Sequence, residues 1–483
     1  MKRVFVIGLD CAAPELVFDR WRDDLPNLRR LMESGVYGEI ESTIPAITVP
    51  AWMSMMTSKD PGQLGFYGFR NRKNYSYDDM AFATSLMVKE KTVWDILSER
   101  ERRCIVVGVP PSYPPKPLNG CLIGCFLTPS IESDYTYPRS LRDEIAEHVG
   151  TYILDVPNFR TDDKENLLKQ IYDLMEVRFE TVRYLMGNKP WDFFMFVEMG
   201  VDRIHHGFWE FMDESHPKYV PGSPYKNAIY DYYRAVDAQI GSLLERLDDD
   251  TAVIVVSDHG AKKMDGGICF NDWLIREGYL KLKHPVQGEP VQLTSDMIDW
   301  EHTLAWGSGG YYGRLFLNVK GREPQGVVDP EDYEKVRDEL IEKLEALTDE
   351  GGRDIGTRVF KPQQIYREVR NISPDLIVYF GDLDWRSVGT VGNPKIWTYE
   401  NDTGPDGANH SQYGIFILYD PGSNDRGRLE GLHVMDVAPT VLELMGIEPP
   451  EDMSGRDVRE GASAYTPEEE EEIDRRLEAL GYL

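Results

Sequence analysis

Three aspartates, three histidines and one threonine, scattered along this 483-residue chain, are the side chains whose types and spacing could do chemistry. Asp202 and His206, in Asp202-Arg203-Ile204-His205-His206, stand at i and i+4. One face of a helical turn can aim both at a single metal, with His205 as the local competitor. Ser257-Asp258-His259-Gly260 ends an apolar run with a carboxylate and an imidazole at a sharp turn. Gly260 there permits either a close backbone approach or a positive φ. Asp10 closes the run at 4–9; alone it reads equally as a turn residue or helix cap. His410 precedes another apolar run, and by itself would be structural. Thr48 sits at a predicted helix start with Pro50 in the first turn. Its hydroxyl is either a plain N-cap or a group placed beside free backbone amides that favour a phosphate. The set as a whole offers mixed oxygen and nitrogen donors without thiolates, which suits a catalytic zinc or manganese site better than a structural zinc. A metal pair about 4 Å apart suits in-line displacement at phosphorus.

The elements that must position these residues are legible in outline. Short apolar runs at 4–9, 104–109, 121–127, 193–197, 252–256, 376–380 and 413–418 suit strands buried on both faces. Between them, 167–185 and 229–247 carry apolar residues mostly at three- and four-residue steps, which predicts amphipathic helices. The alternation predicts an α/β fold with a doubly wound, mostly parallel central sheet flanked by helices. In such sheets the loops at the carboxyl ends of strands form the ligand crevice, so clusters far apart in sequence can meet. Gly-rich strand-like pieces break the pattern within 266–361 and predict an inserted cap subdomain. The core is then 1–265 with 362–460, and 461–483 is a C-terminal helical tail opened by Thr466-Pro467-Glu468-Glu469. The Pro-rich segment 110–117 reads as a stiff loop.

Composition sets outer limits. Fifty-three Lys and Arg against 83 Asp and Glu leave a net charge of −30, which disfavours a nucleic-acid polymer or an anionic membrane as partner. Any phosphate must be held locally. Five sparse cysteines do not form a disulfide framework, and Cys121 and Cys125 lack redox or zinc-knuckle spacing. The apolar start ends at Asp10, too short for a signal peptide, and no run reaches membrane-spanning length. These features predict a cytoplasmic protein.

Taken in order, Asp10, Thr48, Asp202-x-x-x-His206, Asp258-His259-Gly260 and His410 resemble the alkaline phosphatase superfamily, particularly its type I phosphodiesterase and nucleotide pyrophosphatase branch. The resemblance covers the chain from Asp10 to His410 less the insert, and the closing 475–483 also looks like the tail of many members. It implies an alkaline phosphatase-like core and two divalent metals, zinc in the first place with manganese as the alternative. Asp10, Asp258 and His259 would hold the metal that activates Thr48; Asp202, His206 and His410 would hold the second. Thr48 would touch metal as the nucleophile and form a phosphothreonine, which water then attacks from the vacated side. One departure is informative. The branch usually carries His-Gly and then Asn after the nucleophile, whereas here Leu64 and Phe69 fall at those places. Asn71, or Arg70 beside it, would then serve a non-bridging phosphate oxygen, with a surface loop as the plain alternative. Lys262 and Lys263, and Tyr311, Tyr312 and Arg314 in the cap, are weaker candidates for substrate contact. The expected function is a phosphodiesterase or nucleotide pyrophosphatase acting on a small phosphorylated substrate, with oligomeric state open. A phosphomonoesterase, a phosphosugar mutase of the same superfamily, or a non-catalytic metal- or nucleotide-binding relative are the alternatives.

Overall fold

The first strand, Arg3–Leu9, pairs in parallel with Phe193–Glu198 on one side and Thr251–Val256 on the other. All three are rich in Val, Ile and Phe without alternation, because both of their faces are buried. The computed structural model, which describes residues 2–461, extends this trio into a ten-stranded sheet. Cys104–Val107 and Gly120–Ile123 continue it in parallel beyond Phe193–Glu198. On the other side Tyr413–Tyr419 runs antiparallel to Thr251–Val256, and Val36–Glu41 runs antiparallel to Tyr413–Tyr419. Helices Lys164–Asn188 and Ala228–Leu244 bury apolar stripes in the same hydrophobic cluster as the strands. The fold is the mostly parallel, helix-flanked α/β sheet that the periodicity predicts.

A second hydrophobic cluster runs from Ile268 to Ile396. Its four-stranded sheet joins Ala305–Ser308, Gly313–Leu317, Leu376–Tyr379 and Arg358–Phe360, antiparallel throughout. The run at 376–380, expected in the parallel sheet, is therefore a strand of this second, antiparallel sheet. A short apolar run reads alike in either sheet; only its long-range partner, Gly313–Leu317, decides. A further small sheet pairs Gly266–Cys269 with Trp385–Val388 and Trp397–Thr398. We therefore propose that the insert runs from Gly266 to Thr398 rather than ending at residue 361. A third cluster seams the two bodies, with Ala46, Ile47 and Tyr67 against Tyr312, Tyr366 and Tyr379. Ala46 N donates to Tyr379 Oη at 2.7 Å, and Tyr366 Oη donates to Ile44 O. The cap thus pins the segment that leads into Thr48.

The five cysteines are buried and free. No helix among the described residues is long and apolar enough to cross a membrane. The predicted C-terminal helix and the closing 475–483 lie outside the described residues.

Gly8, near the end of the first strand, lets the Trp52 ring pack directly on the sheet. A Cβ there would lie 2.6 Å from the Trp52 ring and 2.9 Å from Val197. Gly8→Ala is expected to cost about 1–3 kcal/mol through overpacking, read as a lower urea midpoint with an unchanged slope.

Candidate active site and metal centre

Register explains how the scattered residues meet. Leu9 is level with Glu198 and Gly8 with Val256, so three neighbouring strands end side by side. Asp10 follows the first, its amide donating to Glu198 O at 3.1 Å. Helix Gly200–Met212 follows the second and carries Asp202 and His206 one turn apart. Asp258 and His259 follow the third. Gly260–Lys263 then pairs with Ala408–Ser411, Ala261 opposite His410, which returns His410 to the cluster. Gly260 serves close approach, not a positive φ: a Cβ there would sit 2.2 Å from Tyr413 O.

Thr48 is the first residue of the fully buried helix Thr48–Thr57. The N-cap is Ile47, so the threonine hydroxyl is not the cap, and Oγ1 lies 3.4 Å from His259 Nε2. Trp52, four residues on, donates from its indole to Asp10 Oδ2 at 2.6 Å. His205 faces elsewhere, with Nε2 3.1 Å from Tyr233 Oη.

Among the described residues two buried ligand groups form, Asp10 with Asp258 and His259, and Asp202 with His206, His410 and Cys11; within each group the donor atoms lie within 4.8 Å of one another. They fit divalent metals on three counts. Asp10 Oδ1, Asp258 Oδ2 and His206 Nε2 are buried without a hydrogen-bond partner. Buried polar atoms are rarely left so unless an ion takes them. Asp258 Oδ2 and His259 Nε2 are 3.1 Å apart, and Asp202 Oδ1 and His206 Nε2 3.2 Å, close contacts through atoms suited to ligate. Finally, each histidine is anchored through Nδ1: His206 to Asp406 at 2.8 Å, His259 to Gly260 O at 3.2 Å and His410 to Ala46 O at 3.0 Å. That leaves every Nε2 turned toward the cluster with its tautomer set by the backbone or a carboxylate. Over Thr48 opens a cavity of about 420 Å³ lined also by Phe69, Arg70, Tyr311 and Arg386.

The model of the type I phosphodiesterase / nucleotide pyrophosphatase family matches residues 4–409. The chain belongs to this family. The family lies in the alkaline phosphatase superfamily, and its members are metal-dependent hydrolases of phosphoric esters. No curated protein matches the chain. Among solved structures, murine ectonucleotide pyrophosphatase/phosphodiesterase 5, an inactive variant with AMP, is similar at 13% identity and TM-score 0.55, over 96% of this chain and 100% of that one. Phosphonoacetate hydrolase from Sinorhizobium meliloti with phosphonoformate is similar at 17% identity and TM-score 0.59, over 92% and 95%. At these identities the likeness is one of fold.

Within this phosphodiesterase-family fold, some sequence candidates sit away from the site. Asn71 does not line the cavity; its Oδ1 accepts from Tyr67 N at 2.7 Å and its Nδ2 donates to Gly68 O at 2.9 Å. Arg70, on the same turn, does line it. Lys262 and Lys263 pair with Asp384 and Asp265, both at 2.6 Å. Tyr311 stacks on His410 and on His206, with ring centroids 4.3 and 4.8 Å apart. Tyr312 and Arg314 line the cavity as well. Asp406, Arg160, Arg203 and Arg386 went unread in the sequence. Only their tertiary contacts mark them, since Asp406 lies 200 residues from the histidine it holds.

Electrostatics in the metal-free protein follow from burying like charges together. Burial, then the neighbouring Asp202, drives Asp10 well up, and burial with Asp10 does the same to Asp258. For Asp202, burial is outweighed by His206 and Arg203, which hold it well down. For His206, burial is outweighed by Asp406 and Asp202, which raise it to about 9. Burial lowers His259 to about 4 and holds His410 well down. Cys11 is raised by burial and by Asp202, so it stays a thiol, a weak ligand.

Two outcomes follow for the purified protein. His206 keeps a proton that the unfolded chain loses above its ordinary value of about 6.5, so its contribution fades as pH rises toward about 9. Asp10 and Asp258 act in the same sense. His259 stays neutral where the unfolded chain is charged, so its contribution fades as pH falls below about 6.5 toward about 4. The melting temperature of chelator-treated protein is therefore expected to peak near pH 6.5, and added zinc to flatten the alkaline limb. Asp406→Asn is expected to weaken zinc affinity by about 10–100-fold in a chelator competition assay, because His206 loses its anchor.

Proposed function

We propose that the chain is a two-metal phosphodiesterase of the nucleotide pyrophosphatase type, with Thr48 as nucleophile. The observation that carries this reading is the Thr48 hydroxyl, uncommitted to helix capping, 3.4 Å from His259 at the base of a cavity beside two ligand groups. Asp10, Asp258 and His259 would hold one cation and Asp202, His206 and His410 the other, with Thr48 touching metal as it reacts. Zinc, or manganese in its place, supplies Lewis acidity and neutralises charge on the phosphoryl oxygens when bound.

The residues of the chain do the rest. The Thr48 oxygen attacks phosphorus as its proton departs, the bond to the leaving alcohol breaks, and the alcohol takes up a proton. Water then attacks the phosphothreonine and frees the hydroxyl. His259 is kept neutral by burial and so adds no positive charge beside that hydroxyl. Helix Thr48–Thr57 directs its first-turn amides and dipole at the incoming phosphoryl group. Arg70 is the better placed contact for a non-bridging oxygen, and Asn71 holds the turn that presents it. The substrate is a small phosphorylated molecule, and the free, sparse cysteines support a cytoplasmic setting.

Thr48→Ala is expected to lower kcat on bis-p-nitrophenyl phosphate by on the order of 10³-fold or more while sparing bound metal. The wild type is expected to hydrolyse this diester faster than p-nitrophenyl phosphate. Full activity in the variant would end the covalent reading; a strong preference for the monoester would make the chain a phosphomonoesterase.

A further inference from the structure

The chain as a whole carries a charge of −30, yet its catalytic cavity is lined by five arginines and two aspartates. Three of the arginines have partners within the protein. Arg314 donates to Arg70 O at 2.6 Å and to Ser308 Oγ at 2.8 Å. Arg203 pairs with Asp155 at 2.7 Å and also with Asp202. Arg160 donates to Asp406 at 3.0 Å and to the Tyr311 hydroxyl. Arg386 is different. It is 3% exposed, on the strand Trp385–Val388, and its Nε and Nη1 have no hydrogen-bond partner among the described residues. Among the described residues its one side-chain hydrogen bond is from Nη2 to Thr403 Oγ1, at 3.5 Å. The nearest carboxylates pair with it only loosely: Asp402 Oδ1, itself without a hydrogen-bond partner among the described residues, lies 3.6 Å from Nη2, and Asp406 Oδ2, which already accepts from Arg160, lies 3.8 Å from Nη1. Burying a guanidinium half-satisfied is costly, and a ligand that completes it would recover that cost.

Its position says what the ligand is. Arg386, Arg314, Arg70 and Thr403, with Gly309 and Gly310, line both the cavity over Thr48 and a second chamber of about 700 Å³ between the 70–80 segment and the cap. Arg386 therefore stands at the junction, separated from His206 by Asp406. We propose that Arg386, with Arg314 and Arg70, forms an anion subsite that selects phosphoric diesters whose second arm carries its own carboxylate or phosphate. This rests on the phosphodiesterase reading and deepens it. Guanidinium forks pair with both kinds of anion through charge-assisted bonds, and Lys would not match that geometry. The scissile phosphoryl group lies over Thr48 and the anionic arm reaches the junction, with the remainder of the substrate in the second chamber.

The test uses three p-nitrophenyl phosphodiesters whose second arm is ethyl, 2-carboxyethyl or 2-phosphoethyl, with zinc-loaded wild-type and Arg386→Gln enzyme. The wild type is expected to favour at least one anionic arm over ethyl by about tenfold in kcat/KM, expressed mainly in KM. The comparison of the two anionic arms tells carboxylate from phosphate. In Arg386→Gln the ratio of anionic to ethyl arm is expected to fall toward one, whatever loss all three substrates share. A wild type with no arm preference, or a variant that keeps it, overturns the subsite. A parallel calorimetric titration of the zinc-loaded Thr48→Ala enzyme with 2-carboxyethylphosphonate and with ethylphosphonate reads the subsite without turnover. Tighter binding of the carboxylated ligand, lost on adding Arg386→Gln, upholds the subsite even if no diester is hydrolysed, an outcome that overturns the phosphodiesterase reading alone. Equal binding of the two ligands counts against the subsite.

Discussion

Three carboxylates, Asp10, Asp202 and Asp258, are buried side by side at the ends of neighbouring strands, and the rest of the site is arranged around that fact. Burial and the neighbouring carboxylates raise the proton affinities of Asp10 and Asp258, while His206 and Arg203 hold Asp202 down. Nearby cationic side chains do not balance them all: Arg203 reaches Asp202, while Asp10 and Asp258 each keep an oxygen without a partner. The proposed pair of divalent cations would resolve the conflict, and the three histidines, each fixed by its far nitrogen, would complete the donor set. Such an arrangement trades stability of the empty protein for a strong field at one place. Proteins pay this at sites of function rather than in the general core.

The cap gives that field its address. Tyr379 and Tyr366 hold the segment before Thr48, and Tyr311 covers the rings of His206 and His410. In the proposed reading the core supplies the ligands, and the cap restrains Thr48 and shapes the entrance. Arginines from both bodies face the same cavity, Arg203 and Arg70 from the core and Arg314 and Arg386 from the cap. A phosphorylated substrate entering it would meet positive charge in a chain that is otherwise acidic.

Much of this was legible in the sequence because its signals are local. Asp10 and Asp258-His259 each end an apolar run, and Asp202 and His206 share one helix turn, so motif and position coincide. Their meeting follows from strand order, which a mostly parallel sheet makes predictable. The unread part depends on distant contacts. Asp406 looks like any loop aspartate until His206 is placed against it. Arg386 follows an unremarkable tryptophan in the cap. The strand Leu376–Tyr379 carries the same apolar signature as a core strand, and its partner lies in the insert. Thr48 was open between cap and nucleophile, and only the backbone shows that the capping position belongs to Ile47.

Anomalous diffraction from crystals grown with zinc would locate the cations. Two strong peaks are expected, one among Asp10, Asp258 and His259 and one among Asp202, His206 and His410, with the Thr48 hydroxyl between them. A single peak, or peaks away from these side chains, would contradict the two-metal reading.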